Sequence, residues 1–139
     1  MANDEDLQKY MILLEQYKEQ INQLEMQSQY LQAAAMDYSK AKITLENLSK
    51  TDDGSETLIP IGGGAFVYAS LSNTSQVLID IGSGLVAEQN FESAIKKIDE
   101  RLGELEKNQE KITTMIESFQ REAAEISAKA QNIMNQQQK

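Results

Sequence analysis

The sequence predicts an α+β fold: a long antiparallel two-helix coiled coil with two β-hairpins at its bend. Residues 1–50 and 90–139 carry apolar residues at heptad spacing over nearly equal lengths. Between them, residues 51–89 contain six of the seven glycines and the only proline, in a stretch rich in β-branched residues. We therefore expect two coiled-coil helices that flank a double-hairpin oligomerisation region, with all three segments forming one domain.

The first helix is predicted by apolar residues whose spacing alternates between three and four. Its series is Leu7, Tyr10, Leu14, Tyr17, Ile21, Leu24, Ser28, Leu31, Ala35 and Tyr38. Such residues stay on one face only where helices supercoil around a partner. Near the end of this helix Lys42 takes a nominal core position. We expect Ala41, Leu45 and Leu48 to form the seam there instead.

The second helix shows the same alternation without interruption. Its series is Phe91, Ile95, Ile98, Leu102, Leu105, Gln109, Ile112, Ile116, Phe119, Ala123, Ile126, Ala130 and Ile133. Asn90 immediately precedes this series and is expected to cap the helix N-terminus. Gly103 lies in the helix interior, where glycine costs about 1 kcal/mol relative to alanine.

The two helical segments match in length, so we expect them to pair antiparallel within one chain. Counted outward from the bend, Leu7 then faces Ile133. In the same register Ser28 lies within one turn of Gln109. These two polar residues predict a weak layer in the seam that sets the register or allows bending.

Four short strands are predicted in the middle segment. They span residues 57–61, 65–71, 76–81 and 85–88. The glycines in residues 62–64 and 82–84 supply the positive φ angles that tight hairpin turns require. Pro60 has no amide donor, which places the first strand at an edge or at a bulge. The strands therefore form two consecutive hairpins.

One face of these strands is apolar. Alternation places Val77, Ile79 and Ile81 on one side of the third strand, with Asp80 opposite. Because both helices are already used in the coiled coil, we expect no helix to cover this face. A barrel or pairing with another subunit would close the open strand edges. The residues expected to mediate oligomerisation are Ile59, Ile61, Val67, Ala69, Leu71, Val77, Ile79, Ile81 and Val86.

Composition excludes several classes of function. The net charge of −9 over 139 residues disfavours nucleic acid and anionic membranes as partners. Histidine, cysteine and tryptophan are absent, so we expect no enzyme, no cofactor and no metal site. No apolar run reaches the length of a transmembrane helix, and the acidic N-terminus does not resemble a secretory signal. With no cysteine, the chain is expected in the cytoplasm.

Three local segments carry a resemblance to a known family. They are residues 59–67 (IPIGGGAFV), 77–84 (VLIDIGSG) and 88–91 (EQNF). With the order helix, two hairpins, helix, they resemble the α-type subunit of prefoldin, since the β-type subunit has one hairpin at the bend. The short chain without extra tails looks more like the archaeal members than the eukaryotic ones.

The resemblance implies an assembly and an activity. Prefoldins are hexamers of two α-type and four β-type subunits, whose hairpins join into an intersubunit β-barrel platform that carries six coiled coils. They are ATP-independent holdase chaperones. Prefoldins bind unfolded, non-native polypeptides at the coiled-coil tips and pass them to a group II chaperonin, without nucleotide or metal.

The expected tip carries more apolar residues than the seam needs. Once Tyr10 and Leu14 enter the seam, the residues between them must lie outward or beside it. Exposed apolar surface marks a binding site, and methionine suits partners of unlike shape. The alternatives are a frayed end, a widened seam, or a chain that acts only as a structural coiled-coil scaffold or adaptor. The residues expected to bind clients are Leu7, Tyr10, Met11, Ile12, Leu13, Leu14, Ile133 and Met134.

Overall fold

The computed structural model describes residues 2–137 and confirms the predicted order of elements. Met1, Gln138 and Lys139, the ends of the two predicted helical segments, lie outside the described residues. The elements are α1 (Ala2–Leu48), β1 (Glu56–Gly62), β2 (Ala65–Ser70), β3 (Gln76–Gly82), β4 (Leu85–Asn90) and α2 (Phe91–Gln137).

The chain divides into two compact units, which we describe separately. The terminal unit contains residues 2–34 and 105–137, which are the first part of α1 and the last part of α2. The central unit contains residues 35–104, which include both hairpins and the helix segments that flank them.

The helix segments of the terminal unit pack through the predicted seam. Every seam residue predicted for this unit is half-buried or buried. The rings of Tyr17 and Phe119 lie 5.7 Å apart between centroids. Nearer the chain ends, Gln137 donates a hydrogen bond to Asp4 at 2.7 Å. Because later residues of α1 meet earlier residues of α2, the two segments run antiparallel, as the heptad pattern predicts.

The predicted polar layer is present in this unit. The amide Nε2 of Gln109 donates a hydrogen bond to Ser28 Oγ at 2.5 Å. The other amide atom, Gln109 Oε1, is buried and accepts no hydrogen bond from the described residues. An unsatisfied buried acceptor costs free energy, so this layer is weaker than the apolar layers on either side.

The central unit has a small apolar core built from both helices. Leu45, Phe91, Ala94 and Ile98 are buried together. Around them pack half-buried side chains, among which are Tyr38, Ala41, Leu48, Ile95 and Leu102. The predicted shift of the α1 seam to Ala41, Leu45 and Leu48 is therefore confirmed.

Lys42, displaced from this seam, forms an ion pair. Its Nζ lies 2.7 Å from Asp99 Oδ1, and the hydrogen bond to Asp99 raises the pKa of Lys42. Both side chains are partly exposed, so solvent screens the pair and its effect on stability is small.

The expectation that no helix covers the strands is wrong for β3. Val77 and Ile79 pack against the core cluster that α1 and α2 form. The prediction assumed that pairing in the coiled coil leaves neither helix free to cover a strand. The seam widens at this end, however, and leaves apolar helix surface available to one hairpin.

The start of α2 follows directly from the end of β4. Asn90 Oδ1 accepts a hydrogen bond from the backbone amide of Ser93 at 2.7 Å. This satisfies one of the amides that a helix N-terminus leaves without a partner. The predicted cap is confirmed, and it fixes the point at which the chain changes from strand to helix.

The two hairpins are equivalent to each other, residue by residue. We call β1–β2 hairpin 1 and β3–β4 hairpin 2. Glu56 pairs with Ser70 in hairpin 1, and Gln76 pairs with Asn90 in hairpin 2. Each pair in hairpin 2 therefore lies 20 residues after the equivalent pair in hairpin 1. Both registers shift at the same place, before Gly62 and before Gly82. Both hairpins turn through two residues of positive φ, the pattern of a type I′ turn.

Replacement of Gly103 by alanine is expected to stabilise the protein. An alanine Cβ at this position meets nothing within 4 Å, so the substitution gains helix propensity without a clash. The free energy of unfolding should rise by about 0.5–1 kcal/mol, measured by chemical denaturation of the full chain. A loss of stability would contradict the open space at this position.

Replacement of Ser28 by alanine is expected to destabilise the protein by about 1–3 kcal/mol, because the Gln109 amide then loses its acceptor while still half-buried. The double variant Ser28→Ala/Gln109→Leu removes both polar partners and should recover most of that loss. Chemical denaturation of the two variants measures the difference. A Ser28→Ala variant as stable as the wild type would show that the hydrogen bond contributes nothing.

Candidate binding surfaces

The apolar residues near the helix ends divide into a seam group and an exposed group. Leu7, Tyr10, Leu14 and Ile133 are half-buried, as seam residues should be. The side chains that sequence reasoning placed outside the seam are exposed: Met11 at 60%, Ile12 at 59% and Leu13 at 38%. Met134, at 50%, is exposed as well. We call these four residues the tip patch. Whether the patch binds an unfolded chain stays a prediction.

The tip patch lies near the point where the first turn of α1 meets the last described turn of α2. The hydrogen bond from Gln137 to Asp4 joins the last described turn of α2 to the first turn of α1. Asp4 and Glu5 also place negative charge in that first turn, where it stabilises the helix N-terminus. The patch is therefore presented by two helices that hold each other, and not by a single loose end.

The seam beneath the patch is aromatic. The Tyr17 ring packs on Phe119. A hydrogen bond with Glu122 raises the pKa of the Tyr17 phenol, with a smaller contribution from desolvation. Tyr17 thus joins the two helices through its ring, which packs on Phe119, and its phenol lies close to Glu122 of α2.

Other apolar side chains are exposed farther along the terminal unit. Met26, Tyr30 and Met115 are exposed on the helix surfaces. Tyr30 also borders a groove of about 410 Å³ with Leu31 and Ile112. Single exposed apolar residues are ordinary on protein surfaces, so these residues are weaker candidates for a binding surface than the tip patch, which contains three exposed apolar residues in succession.

The residues predicted to mediate oligomerisation lie in three different environments. Ile59, Ile61, Val67, Ile81 and Val86 are exposed. Ala69 and Leu71 are half-buried. Val77 and Ile79 pack on the helices of their own chain. These two residues are therefore not available for contact with another subunit.

Val86 lies on a different face from the residues with which it was grouped. It pairs with Asp80, whereas Ile79 pairs with Ala87. Since directly paired residues share a face and alternate residues do not, Val86 points away from the helix-facing side.

Sequence reasoning missed five exposed apolar residues of the hairpins. They are Leu58, Phe66, Tyr68, Leu78 and Leu85. The reasoning assigned a single apolar face to the strands. The signal was nevertheless in the sequence, because apolar residues occupy consecutive positions in residues 58–61 and 65–69, and such a run has two apolar faces.

Two polar contacts hold the hairpins to the rest of the central unit. Arg101 donates a hydrogen bond from its guanidinium to the Asp80 carbonyl, and the same group lies 5.7 Å from the centre of the Tyr38 ring. Asp53 Oδ1 accepts hydrogen bonds from the Thr74 amide and hydroxyl, both at 2.6 Å. These bonds lower the pKa of Asp53 and join the segment before hairpin 1 to the segment after it.

A cleft of about 420 Å³ lies beside β3 in the central unit. Its walls are mainly apolar, and they include Leu45, Leu48, Val77 and Ile98, with Arg101 at its border. β3 pairs only with β4 within the described strands. The cleft therefore adjoins a strand edge whose backbone groups are available to another chain.

The described part of the chain offers little for other kinds of chemistry. It contains no cluster of three or more residues that could hold a metal ion. No helix within residues 2–137 has the length and hydropathy to cross a membrane.

Comparison with known proteins identifies the family. The family model described as prefoldin subunit matches residues 17–136. The chain belongs to the prefoldin family. A prefoldin subunit alpha from Archaeoglobus fulgidus is 32% identical over 100% of this chain and 99% of its own. One from Methanosarcina barkeri is 26% identical, covering 85% of this chain and 84% of its own. The prediction that the chain is an α-type subunit, made from its two hairpins, is confirmed.

A solved structure shows the same fold. The crystal structure of the prefoldin beta subunit from Thermococcus strain KS-1 has a TM-score of 0.60 with 17% identity, covering 91% of this chain and 90% of the other. Prefoldins are a chaperone family without enzymatic activity. The chain is therefore a chaperone-type subunit, and its exposed apolar surfaces are candidate sites for binding other proteins.

Replacement of Asp53 by asparagine is expected to make the thermal stability of the protein less dependent on pH in the acid range. The pKa of Asp53 in the folded state is lowered from 3.8, its value in the unfolded chain. The Asp53 carboxylate therefore stabilises the folded state above the unfolded-state pKa, and this stabilisation is lost as the pH falls through the folded-state pKa. Thermal unfolding, followed by circular dichroism at decreasing pH, should show a smaller decline below 3.8 for the variant than for the wild type.

The matched control is Asp52→Asn, which removes a neighbouring charge and leaves the Thr74 contacts in place. This control should follow the wild-type profile. If both variants reduce the loss of stability at low pH equally, the removal of one negative charge explains the result, and the contact between Asp53 and Thr74 does not.

Proposed function

We propose that this chain is a subunit of an ATP-independent holdase that captures non-native polypeptides at the ends of its helices. The observation that carries the proposal is the tip patch, four exposed apolar side chains at the point where the two chain ends meet. Membership of the prefoldin family supports the class of function, and the patch supplies a surface for it.

The exposure of the patch favours a binding role over a packing role. Met11 and Ile12 are more than half exposed, so they contribute little to the seam. Two of the four residues are methionines, whose flexible, polarizable side chains adapt to partners of different shape. A surface of this kind suits the varied apolar segments of an unfolded chain better than one defined ligand.

Selectivity for unfolded chains follows from several weak contacts. One patch of this size binds weakly, but several patches held on one assembly raise the effective concentration of each further contact. An unfolded polypeptide exposes many apolar segments and engages several patches at once, whereas a folded protein exposes few. No nucleotide, metal or covalent step enters this mechanism.

The hairpins are proposed to supply the assembly. Ile59, Ile61 and Val67 are exposed on strands whose edges are open, and exposed strand edges favour pairing with another chain. The apolar cleft beside β3 offers a place for a side chain of the partner. We propose β-type prefoldin subunits as the partners, two α-type and four β-type chains per hexamer, joined by an intersubunit β-barrel platform.

Each segment of the chain is proposed to have its own role. Residues 1–50 and 90–139 form the client-binding coiled coil, and residues 51–89 form the oligomerisation region of one prefoldin-type domain. The assembly acts in the cytoplasm and passes its client to a group II chaperonin. Handover is tested by release of a bound, labelled client on addition of that chaperonin.

The triple variant Met11→Ser/Ile12→Ser/Leu13→Ser is expected to lose most of its client capture. Each substitution removes exposed apolar surface without opening the seam, so folding and assembly should persist. The full chain is mixed with its β-type partner, and light scattering follows the aggregation of a chemically denatured protein without ATP. Wild type should suppress aggregation and the triple variant should suppress it several-fold less.

The matched control is Met36→Ser/Ile43→Ser, which removes apolar side chains of similar exposure from the central unit. This variant should suppress aggregation as well as wild type does. Equal suppression by the triple variant would refute the tip assignment. If wild type binds one folded protein and shows no preference for unfolded chains, the chain is a structural scaffold or adaptor instead.

A further inference from the structure

We propose that a row of glutamines on one side of the terminal unit binds the peptide backbone of an extended, non-native chain. The row, which we call the glutamine band, consists of Gln16, Gln20, Gln23 and Gln27 of α1. The inference rests on the proposed function and adds a second site of different chemistry. The tip patch binds apolar side chains, whereas the glutamine band binds main-chain amides.

The glutamine band follows from the heptad spacing of α1. Each of its members directly precedes a seam residue, and these seam residues are Tyr17, Ile21, Leu24 and Ser28. Residues at this spacing lie on one face of a helix, so the band runs parallel to the seam and beside it. All four glutamines are exposed, and their side-chain amides are therefore accessible to a partner.

An apolar side chain lies at each end of the glutamine band. Leu13 of the tip patch takes the equivalent position at the end nearer the N-terminus. Tyr30 takes it at the other end, where it is 78% exposed and borders the groove that Leu31 and Ile112 also line. Gln27 forms part of the wall of this groove. The band therefore connects the tip patch to a second apolar site within the same unit.

The opposite side of the same stretch of α1 is different. The positions that directly follow the seam residues carry three charged side chains, Glu15, Lys18 and Glu25. The band side carries no charged residue from Leu13 to Tyr30. Both sides are exposed to water, so solvation of the helix does not account for the lack of charge on one of them.

A glutamine amide suits the peptide backbone because it both donates and accepts hydrogen bonds. A carboxylate only accepts, and an ammonium group only donates. An extended chain presents N–H and C=O groups alternately along each edge, so a row of amides can pair with it whatever its side chains are. Charged residues in the row would instead favour client segments of opposite charge. The band therefore offers contacts that do not depend on the sequence of the client.

The length of the band fits a short client segment. From Leu13 to Tyr30 the helix rises about 25 Å, and about eight residues of extended chain cover that distance. Successive glutamines lie about 5 Å apart along the helix. Peptide groups that point the same way in an extended chain lie about 7 Å apart, and the long glutamine side chains accommodate the difference.

Backbone binding also accounts for a preference for non-native chains. In a folded protein most backbone groups are already hydrogen-bonded within the molecule, whereas in an unfolded chain they are available. Each new hydrogen bond replaces one to water, so a single one contributes little. Several glutamines in a row, with an apolar site at each end, together hold a segment that no single contact would hold.

The test compares two forms of one fluorescently labelled peptide that alternates leucine and serine. The second form carries N-methyl groups in place of the amide hydrogens at every second residue, so it has the same side chains and fewer backbone donors. Fluorescence anisotropy gives the dissociation constant of each form with the full chain. Wild type should bind the unmodified form at least about fivefold more tightly than the methylated form.

The band variant Gln20→Ala/Gln23→Ala/Gln27→Ala is expected to lose most of this preference. Its dissociation constant for the unmodified peptide should rise about fivefold or more, while its binding of the methylated peptide should stay close to that of wild type. Alanine has a higher helix propensity than glutamine, so the coiled coil should persist, and circular dichroism checks this.

The matched control is Asn22→Ala/Gln29→Ala/Gln32→Ala, which removes three exposed amides from the opposite side of the same helix. This control should keep the wild-type preference. Equal binding of both peptides by wild type would overturn the proposal, and so would a preference that the band variant keeps or that the control loses. Suppression of aggregation is measured separately. A wild-type assembly that suppresses none refutes the proposed function, whereas the peptide results decide only the role of the glutamine band.

Discussion

The pairing of two heptad seams is the interaction on which the other features of this protein depend. A pair of helices has a line of contact and no enclosed interior, so it buries few side chains completely. Within residues 2–137 the buried apolar side chains are Leu45, Phe91, Ala94, Ile98 and Ala130. Every other apolar side chain among residues 4–137 is at least partly in contact with water. Apolar residues outside the seam therefore become surfaces that can bind other chains.

The antiparallel direction of the pairing brings the first turn of α1 next to the last described turn of α2. Residues far apart in sequence, such as Asp4 and Gln137, meet in the terminal unit because the intervening chain reverses direction. The polar layer at Ser28 and Gln109 favours one register over the others, since any shift would leave the buried amide without its partner. The register in turn determines which residues remain outside the seam near the ends.

The hairpins show how one structural unit, used twice, takes two different roles. Their backbones are equivalent down to the turn and the register shift. Their surroundings differ, because Val77 and Ile79 pack on the helices of the same chain, while Ile59 and Val67 remain exposed. Arg101 adds a specific contact to the β3 backbone. Hairpin 2 thus contributes β3 residues to the packing of the central unit, whereas the apolar residues Ile59 and Val67 of hairpin 1 remain exposed.

The sequence by itself determined the elements, the seam residues, the helix cap at Asn90 and the exposed residues near the ends. Each of these depends on local spacing or on the chemistry of a short segment, and such signals are present in the chain before it folds. The tertiary structure decided which apolar residues are covered. The packing of β3 on the helices and the contact between Arg101 and Asp80 depend on how segments distant in sequence meet. Alternation along a strand identifies its two faces, but only the neighbouring elements determine which face is buried.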